Sequence, residues 1–336
     1  MKRRKTGFAW LTTLAFLFTA IATDLARAET AELRIAYQHS MAFLVVDVML
    51  GKKLIEARAA AVGLDALKVS TVRFTSGPAA NDALLKGDVE VGGAGVAPFL
   101  DLWAKTRGGA NVRGIAPINN SPLYLISTDA RIQTPKDLTS VDKIAVPAPG
   151  SIQGLFLRML ADGAHGNPAH LDAAMASMTS PDALKALASP EGGVRNYVGS
   201  IPFNLSAMAL PGAREVANSN DHLGGPHTLV LLFVTEKFKM ENPKTFAVLA
   251  AAIDDAMTFI KSNPQEAAAI FSAASNGATP PARVLDVLGR RDVAYDLTPR
   301  GTMAFATFMQ KIGALKVAPA TWKDAYWENL HSRDGS

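Results

Sequence analysis

Short β-prone runs that end in small residues and pass at once into helical segments recur through this 336-residue chain, and no other feature restricts its fold as strongly. "ELRIAYQ" (32–38) leads into the helical pattern of 41–61. "LKVSTVRF" (67–74) leads into "AANDALLKG", which ends at Gly87, a residue suited to the position after a helix. "DVEVGG" leads into "VAPFLDLWAKTRGG", stopped by Gly108 and Gly109, and "VRGIAPI" is a fourth strand. Strands alternating with helices at this spacing predict βαβ units, and so an α/β fold with mainly parallel sheets.

A second series begins at "PLYLIST" (122–128). "TPKDL" predicts a helical turn with Thr134 as N-cap and Pro135 in first position. The strand "KIAVPA" follows, then the helix "SIQGLFLRMLADG" closed by Gly163, and the strand "LDAAMASM". A helix "SPDALKALA" with Ser180 as N-cap and a strand "VRNYVGSI" complete the series. The apolar run His227–Phe238 can carry the chain back, and from Pro243 the pattern is almost all helical, broken at Pro264, Pro280, Pro281, Pro299 and Pro319. Two α/β series joined by two extended crossings predict two lobes around a two-stranded hinge. Lobe 1 takes residues 29–120 plus 228–336, and lobe 2 takes 121–227. The length, about twice that of one ordinary domain, agrees with two.

Residues 1–28 read as a secretory leader: a basic "MKRRK", an apolar stretch Phe8–Ala22, and Ala26-Arg27-Ala28 as a small-x-small cleavage site. The apolar stretch is shorter than the roughly 20 residues of a spanning helix, so cleavage after about Ala28 is expected rather than anchoring. The leader holds five of the 34 basic and one of the 30 acidic residues, which leaves 29 of each and no net charge beyond it. Non-specific attraction to nucleic acid or anionic lipid therefore has no electrostatic basis. Cysteine is absent, so the fold has no disulfide to rest on and no thiol near the cleavage site for a lipid anchor. A periplasmic location follows as the expectation.

In parallel α/β sheets, ligands bind beyond the carboxyl ends of the strands, where helix N-termini present unpaired N–H groups. These can hold anionic oxygens without lysine or arginine. Four turns qualify: 37–41 (Gln38, His39, Ser40), 75–79 (Ser76, Gly77, Pro78), 93–97 (Gly95, Val96, Ala97) and 148–154 (Gly150, Ser151, Ile152, Gln153). Each alone reads equally well as ordinary turn chemistry. A nucleotide loop is excluded on detail, since Lys86 precedes Gly87 and no G-x-x-x-x-G-K-[ST] occurs. Hydrolase chemistry lacks G-x-S-x-G, and the six histidines show no metal-ligand spacing, so neither catalysis, metal nor cofactor is expected. His39 follows the first strand and His227 opens the return crossing, so each reads as a turn or hinge histidine or as a ligand contact. Asn119 can be a strand-end turn residue or a lip of the cleft. "WKDAYWENL" reads as a packing face.

The segments "LRIAYQ", "VRFTSGPAANDALLKGDVEVGGAGVAPF", "TPKDL…DKIAVPAPGSIQGLFLRMLADGA" and "APATWKDAYWENL" together resemble the substrate-binding proteins of ABC importers for nitrate, aliphatic sulfonates, taurine and thiamine pyrimidine precursors (SsuA-, TauA- and NMT1-like). No helix-turn-helix precedes "ELRIAYQ", unlike in regulators that carry a related domain. The resemblance implies a type II periplasmic binding fold that closes over a small-molecule ligand, as a monomer, and delivers it to a permease and its ATPase in the inner membrane. Carried over by position, Pro202 and Phe203 in "GSIPF" join the four turns as ligand-facing, although the family's aromatic element there is replaced by Ser200-Ile201. The ligand expected is a small organic anion held by backbone N–H groups, with Ser76 and Ser151 donating their hydroxyls and Phe203 with Val96 covering its apolar part. An aromatic carboxylate, a neutral pyrimidine, or a sensing role in place of transport are the alternatives. A related synthase activity would need a Cys-rich motif, which is missing.

Overall fold

The computed structural model describes residues 29–336 apart from 190 and 192, and the expected leader lies outside the described residues. The chain opens with β1 (Glu32–Tyr37), α1 (Leu44–Gly51), α2 (Leu54–Ala60), β2 (Lys68–Arg73), α3 (Gly77–Lys86), β3 (Gly92–Gly95), α4 (Val96–Thr106) and β4 (Arg113–Asn120). It then crosses over and forms β5 (Tyr124–Ser127), β6 (Ile144–Val146), α5 (Ile152–His165), β7 (Met175–Ser177), α6 (Ser180–Ala188), β8 (Asn196–Gly199), α7 (Phe203–Met208), β9 (Arg214–Asn218) and α8 (Ser219–Leu223). After crossing back, it ends with β10 (Thr228–Val234), α9 (Glu236–Glu241), α10 (Pro243–Ser262), α11 (Pro264–Ala274), α12 (Pro281–Leu288), α13 (Thr302–Lys311) and α14 (Trp322–Ala325).

The two halves share one plan. In the first, β1 and β2 pair in parallel, a parallel bridge from Ile35 to Val91 joins β1 to the entry of β3, and β10 lies antiparallel between β3 and β4. The layer order is thus β2-β1-β3-β10-β4. The second sheet runs β7-β6-β8-β5-β9, with β6 parallel to both neighbours and β5 antiparallel to both. In each sheet four strands point one way, and the strand entered from a crossing points against them. This is the expected α/β periplasmic-binding architecture. Each sheet is mixed rather than purely parallel because the crossing strand enters from the far end.

Burial explains the local choices. β10 is buried at every position, as an apolar run with no alternation should be when both faces are covered. Gly92 is required beside it: a Cβ there would lie 2.1 Å from Phe233 Cε2. Phe233 in turn sits 5.4 Å from Phe99, which sits 5.7 Å from Tyr326. Trp322 packs edge-on against Tyr326 at 6.0 Å, so "WKDAYWENL" is the packing face it was expected to be.

Three local expectations need correction. The helical pattern of 41–61 is broken, because Lys53 adopts φ 51° and turns α2 away from α1. α5 runs past Gly163 to His165 and is closed by Gly166 at φ 66°. The N-cap of α6 is Thr179, not Ser180. No helix of the described residues is long and apolar enough to cross a membrane.

Candidate functional site

A cavity of about 260 Å³ lies between the two sheets. Residues from the first half line one side: Gln38, His39, Ser40, Ala42, Phe43, Phe74, Thr75, Gly77, Gly95, Pro98, Leu229 and Val230. The second half contributes Pro147, Ser151, Ile152, Gln153, Thr179, Ser180, Pro181, Ser200 and Phe203. None of these is Asp, Glu, Lys or Arg.

The topology makes this composition. Strands that share a direction deliver their helices to the same edge, so α3, α4, α5 and α6 all begin at the cavity. Each start leaves first-turn N–H groups without intrahelical partners and carries the positive end of the macrodipole. Ser76 caps α3 with its Oγ 3.5 Å from the Ala79 N–H. Thr179 caps α6 by accepting from the Asp182 N–H at 3.3 Å and donating to Asp182 Oδ2 at 2.6 Å. Ser151 caps α5 by accepting from the Gly154 N–H at 3.1 Å, and its own hydroxyl donates to the Ala148 carbonyl at 2.6 Å. The single Ser151 proton is therefore committed within the protein, which corrects its expected use as a donor to ligand. Ser40 and Ser200 are buried in the wall.

Gly95 marks where the halves meet. A Cβ on it would stand 2.7 Å from Ile152 Cγ2 and 2.9 Å from Ile152 Cβ, so the start of α5 seats against the bare backbone before α4. Pro78 and Gly150 face each other beside this contact. Lys311 on α13 pairs with Asp162 on α5 at 2.5 Å across the same seam.

The one ionisable side chain in the lining is His39. Its ring stacks on Phe271 with centroids 5.1 Å apart and planes 7° apart, and its Nδ1 is buried with no partner. Burial, and then the charge of Arg73, hold its pKa below the ordinary imidazole value. Behind it, Tyr37 donates to Asp47 Oδ1 at 3.1 Å and accepts from Arg73 Nε at 3.2 Å. Asp47 is 3% exposed with Oδ2 unpartnered, and burial pushes its pKa up to about 7 against the opposing effects of Tyr37 and Arg73.

Nine of the residues singled out in the sequence line the cavity: Gln38, His39, Ser40, Gly77, Gly95, Ser151, Ile152, Gln153 and Phe203. Ser76 is one residue outside the lining, at the cap of α3. Pro78, Ala97 and Gly150 instead line a neighbouring groove with Met309 and Ile312. Val96 and Pro202 are buried beside the wall. Asn119 is fully buried in β4, donating to the Ala294 carbonyl at 3.3 Å and accepting from Ser121 Oγ at 2.7 Å. His227 is 1% exposed and belongs to the crossings. Its Nδ1 lies 3.0 Å from the Thr228 carbonyl, which makes Nδ1 the donor and leaves Nε2 to accept from Ser219 Oγ at 2.6 Å. Ser219 Oγ also accepts from the Leu123 N–H at 2.8 Å, so this relay ties one crossing to the other. Burial pushes the His227 pKa down to about 4, which keeps the ring neutral.

Sequence reasoning passed over Phe43, Phe74, Thr179, Pro181, Leu229 and Val230, and named Thr75 and Ser200 only through the turns that hold them. The signal for Thr179 was present: "TSP" before α6 repeats the Thr/Ser-then-Pro pattern of "TSGP" before α3.

A profile of the NMT1-like family matches residues 6–275. No curated protein sequence matches the chain. Among solved structures, the alkanesulfonate-binding protein SsuA from Xanthomonas axonopodis pv. citri, bound to MOPS, superposes with a TM-score of 0.68 at 21% identity, covering 89% of this chain and 99% of that one. The periplasmic aliphatic sulphonate binding protein SsuA from Escherichia coli gives 0.66 at 19% identity, with 90% and 99% covered. The periplasmic nitrate-binding protein NrtA from Synechocystis PCC 6803 gives 0.70 at 14% identity, with 90% and 88% covered.

Proposed function

The chain belongs to the NMT1-like family, and from that premise we propose that it is the periplasmic solute-binding component of an ABC importer, capturing a small organic anion between its lobes. The lobes are residues 29–120 plus 228–336 and residues 121–227, and they open and close about the two crossings to admit the solute and hand it to a membrane permease. One observation carries this reading: a small cavity fed by both halves, ringed by four helix N-termini and several hydroxyls, with no carboxylate in its lining. Such a surface offers donors to an anion's oxygens and nothing that repels it. The N–H groups at the starts of α3 and α5 hold the charged end, while Phe74, Phe203, Leu229 and Val230 cover the apolar part. Sulfonates and aromatic carboxylates fit this description in full, and nitrate fits its charged end alone.

A neutral pyrimidine is the second reading, favoured by the absence of any Lys or Arg from the lining. Thermal shift with ethanesulfonate, nitrate, benzoate and uracil separates the two. A ligand at a hundredfold excess over its Kd adds roughly 2.7 kcal/mol of stability. Stabilisation by an anion supports the first reading. A shift with uracil alone overturns it in favour of the second.

A further inference from the structure

The cavity holds a single ionisable group, and the protein has taken some trouble over its surroundings. His39 sits in the turn after β1, half-buried, with its ring laid flat on Phe271 of α11. A neutral imidazole has one N–H and one bare nitrogen, and here Nδ1 is buried without a hydrogen-bond partner. Charged and titratable groups on the elements packed around it are engaged elsewhere, Glu266 of α11 with Lys52 among them. Arg73 on β2 is held by the Tyr37 hydroxyl of β1 and the Ala274 carbonyl, and its charge opposes a second positive charge on the ring. Asp47 on α1 is turned to Tyr37 rather than to the imidazole. Tyr295, in the segment after α12, donates to the Met41 carbonyl. Across the cavity, Asp182 on α6 is bound to Thr179. Among the described residues no carboxylate hydrogen-bonds the ring, so in the empty protein nothing rewards its protonation.

We propose that His39 couples anion capture to the uptake of one proton, and so makes the cavity select for the charge of its solute. The inference rests on the reading of this cavity as the solute site. An anion seated beside His39 supplies the negative charge the ring lacks. A proton from solvent then binds the imidazole, and the anion offsets the charge of the imidazolium so formed. Because the complex holds more protons than the empty protein, affinity for the anion rises as pH falls on the acid side of neutrality. The limit is about tenfold per pH unit for one proton. A neutral solute supplies no such charge, so the imidazole stays unprotonated and no proton is taken up.

The test is calorimetry with ethanesulfonate, nitrate, benzoate and uracil between pH 5.5 and 8, in buffers of different ionisation heat, on the wild type and His39→Asn. The His39 ring resonances are followed by NMR with and without the anion, so that the inference stands even where the variant folds poorly. Expected is uptake approaching one proton per anion at acid pH, a steepening of affinity lost in His39→Asn, and an anion-induced rise in the His39 titration midpoint. Anion binding with no proton uptake, or with the same pH slope in the variant, overturns this inference and leaves the solute-binding reading intact. Binding of uracil alone, or of none of the four, overturns this inference together with the anion reading on which it rests.

Discussion

Replacing Gly95 with alanine should separate closure of the protein from its folding. The added Cβ would lie 2.7 Å from Ile152 Cγ2 and 2.9 Å from Ile152 Cβ. Carbon atoms are at ease about 3.5–4.0 Å apart, so the contact is short by roughly 1 Å. Because the Ile152 Cβ itself is in the way, a change of rotamer does not relieve it. Gly95 has φ −66° and ψ 160°, which alanine adopts freely, so the backbone raises no objection. Overpacking of this kind costs about 1–3 kcal/mol. If Gly95 and Ile152 belong to lobes that part about a hinge, the empty protein avoids that cost by opening, and the whole penalty falls on the closed, liganded form. At about 1.4 kcal/mol per factor of ten, affinity should drop about 5- to 150-fold while the melting temperature of the empty protein holds or rises slightly. Gly92→Ala is the contrast: its Cβ would meet Phe233 within one sheet, where no hinge can relieve it, so it should lower the melting temperature. Calorimetry for affinity and thermal unfolding for stability give the two readouts. Ile152→Gly removes both crowding atoms, so the double variant should regain affinity lost in Gly95→Ala alone. Unchanged affinity in Gly95→Ala, or a loss of stability matching that of Gly92→Ala, would refute the reasoning.

Two further substitutions probe the buried polar groups. Asp47 has a folded pKa of about 7 against an ordinary 3.8, so the native state keeps a proton that the unfolded chain releases. Stability tied to that proton is complete below about pH 4 and is lost as pH rises to 7, by at most about 4 kcal/mol. Asp47→Asn keeps an acceptor for Tyr37, so it should raise the melting temperature at pH 8 and leave it unchanged near pH 4; an equal shift at both pH values would argue against a buried, protonated carboxyl. Ser219→Ala strands the Leu123 N–H and His227 Nε2 at once, and urea unfolding should register a loss of about 2–3 kcal/mol. A loss under 0.5 kcal/mol would mean that the relay between the crossings contributes little.

The architecture was legible because it rests on local signals that agree. Gly87 ends α3 in the left-handed conformation expected of it, and Ser76 and Ser151 cap the helices they precede. Thr134 and Asp137 form the cap that "TPKD" promised. What local reasoning missed depends on partners far along the chain. β9, "REVAN", is short and polar, and it is a strand because β5 lies beside it. Asp47 is the lone charge in the apolar run of α1, and packing from elsewhere in the chain buries it. His227 could be a ligand contact or a hinge residue by sequence alone, and only Ser219 and Leu123, distant from each other in the chain, decide its place in the relay. The same limit applied at the cavity: the turns that open helices could be picked out, but the walls supplied by Leu229 and Val230 come from a strand with no local mark of a site.

A cavity lined without Asp, Glu, Lys or Arg also has a kinetic meaning. The field of a helix terminus fades within about a turn, and residues 29–336 carry as many acidic as basic side chains, so net charge supplies no long-range attraction for a charged solute. Encounter is then left to plain diffusion and changes little with ionic strength. Discrimination begins only after the solute has entered and water has been displaced. For such a protein, the choice among solutes lies in how slowly each one leaves.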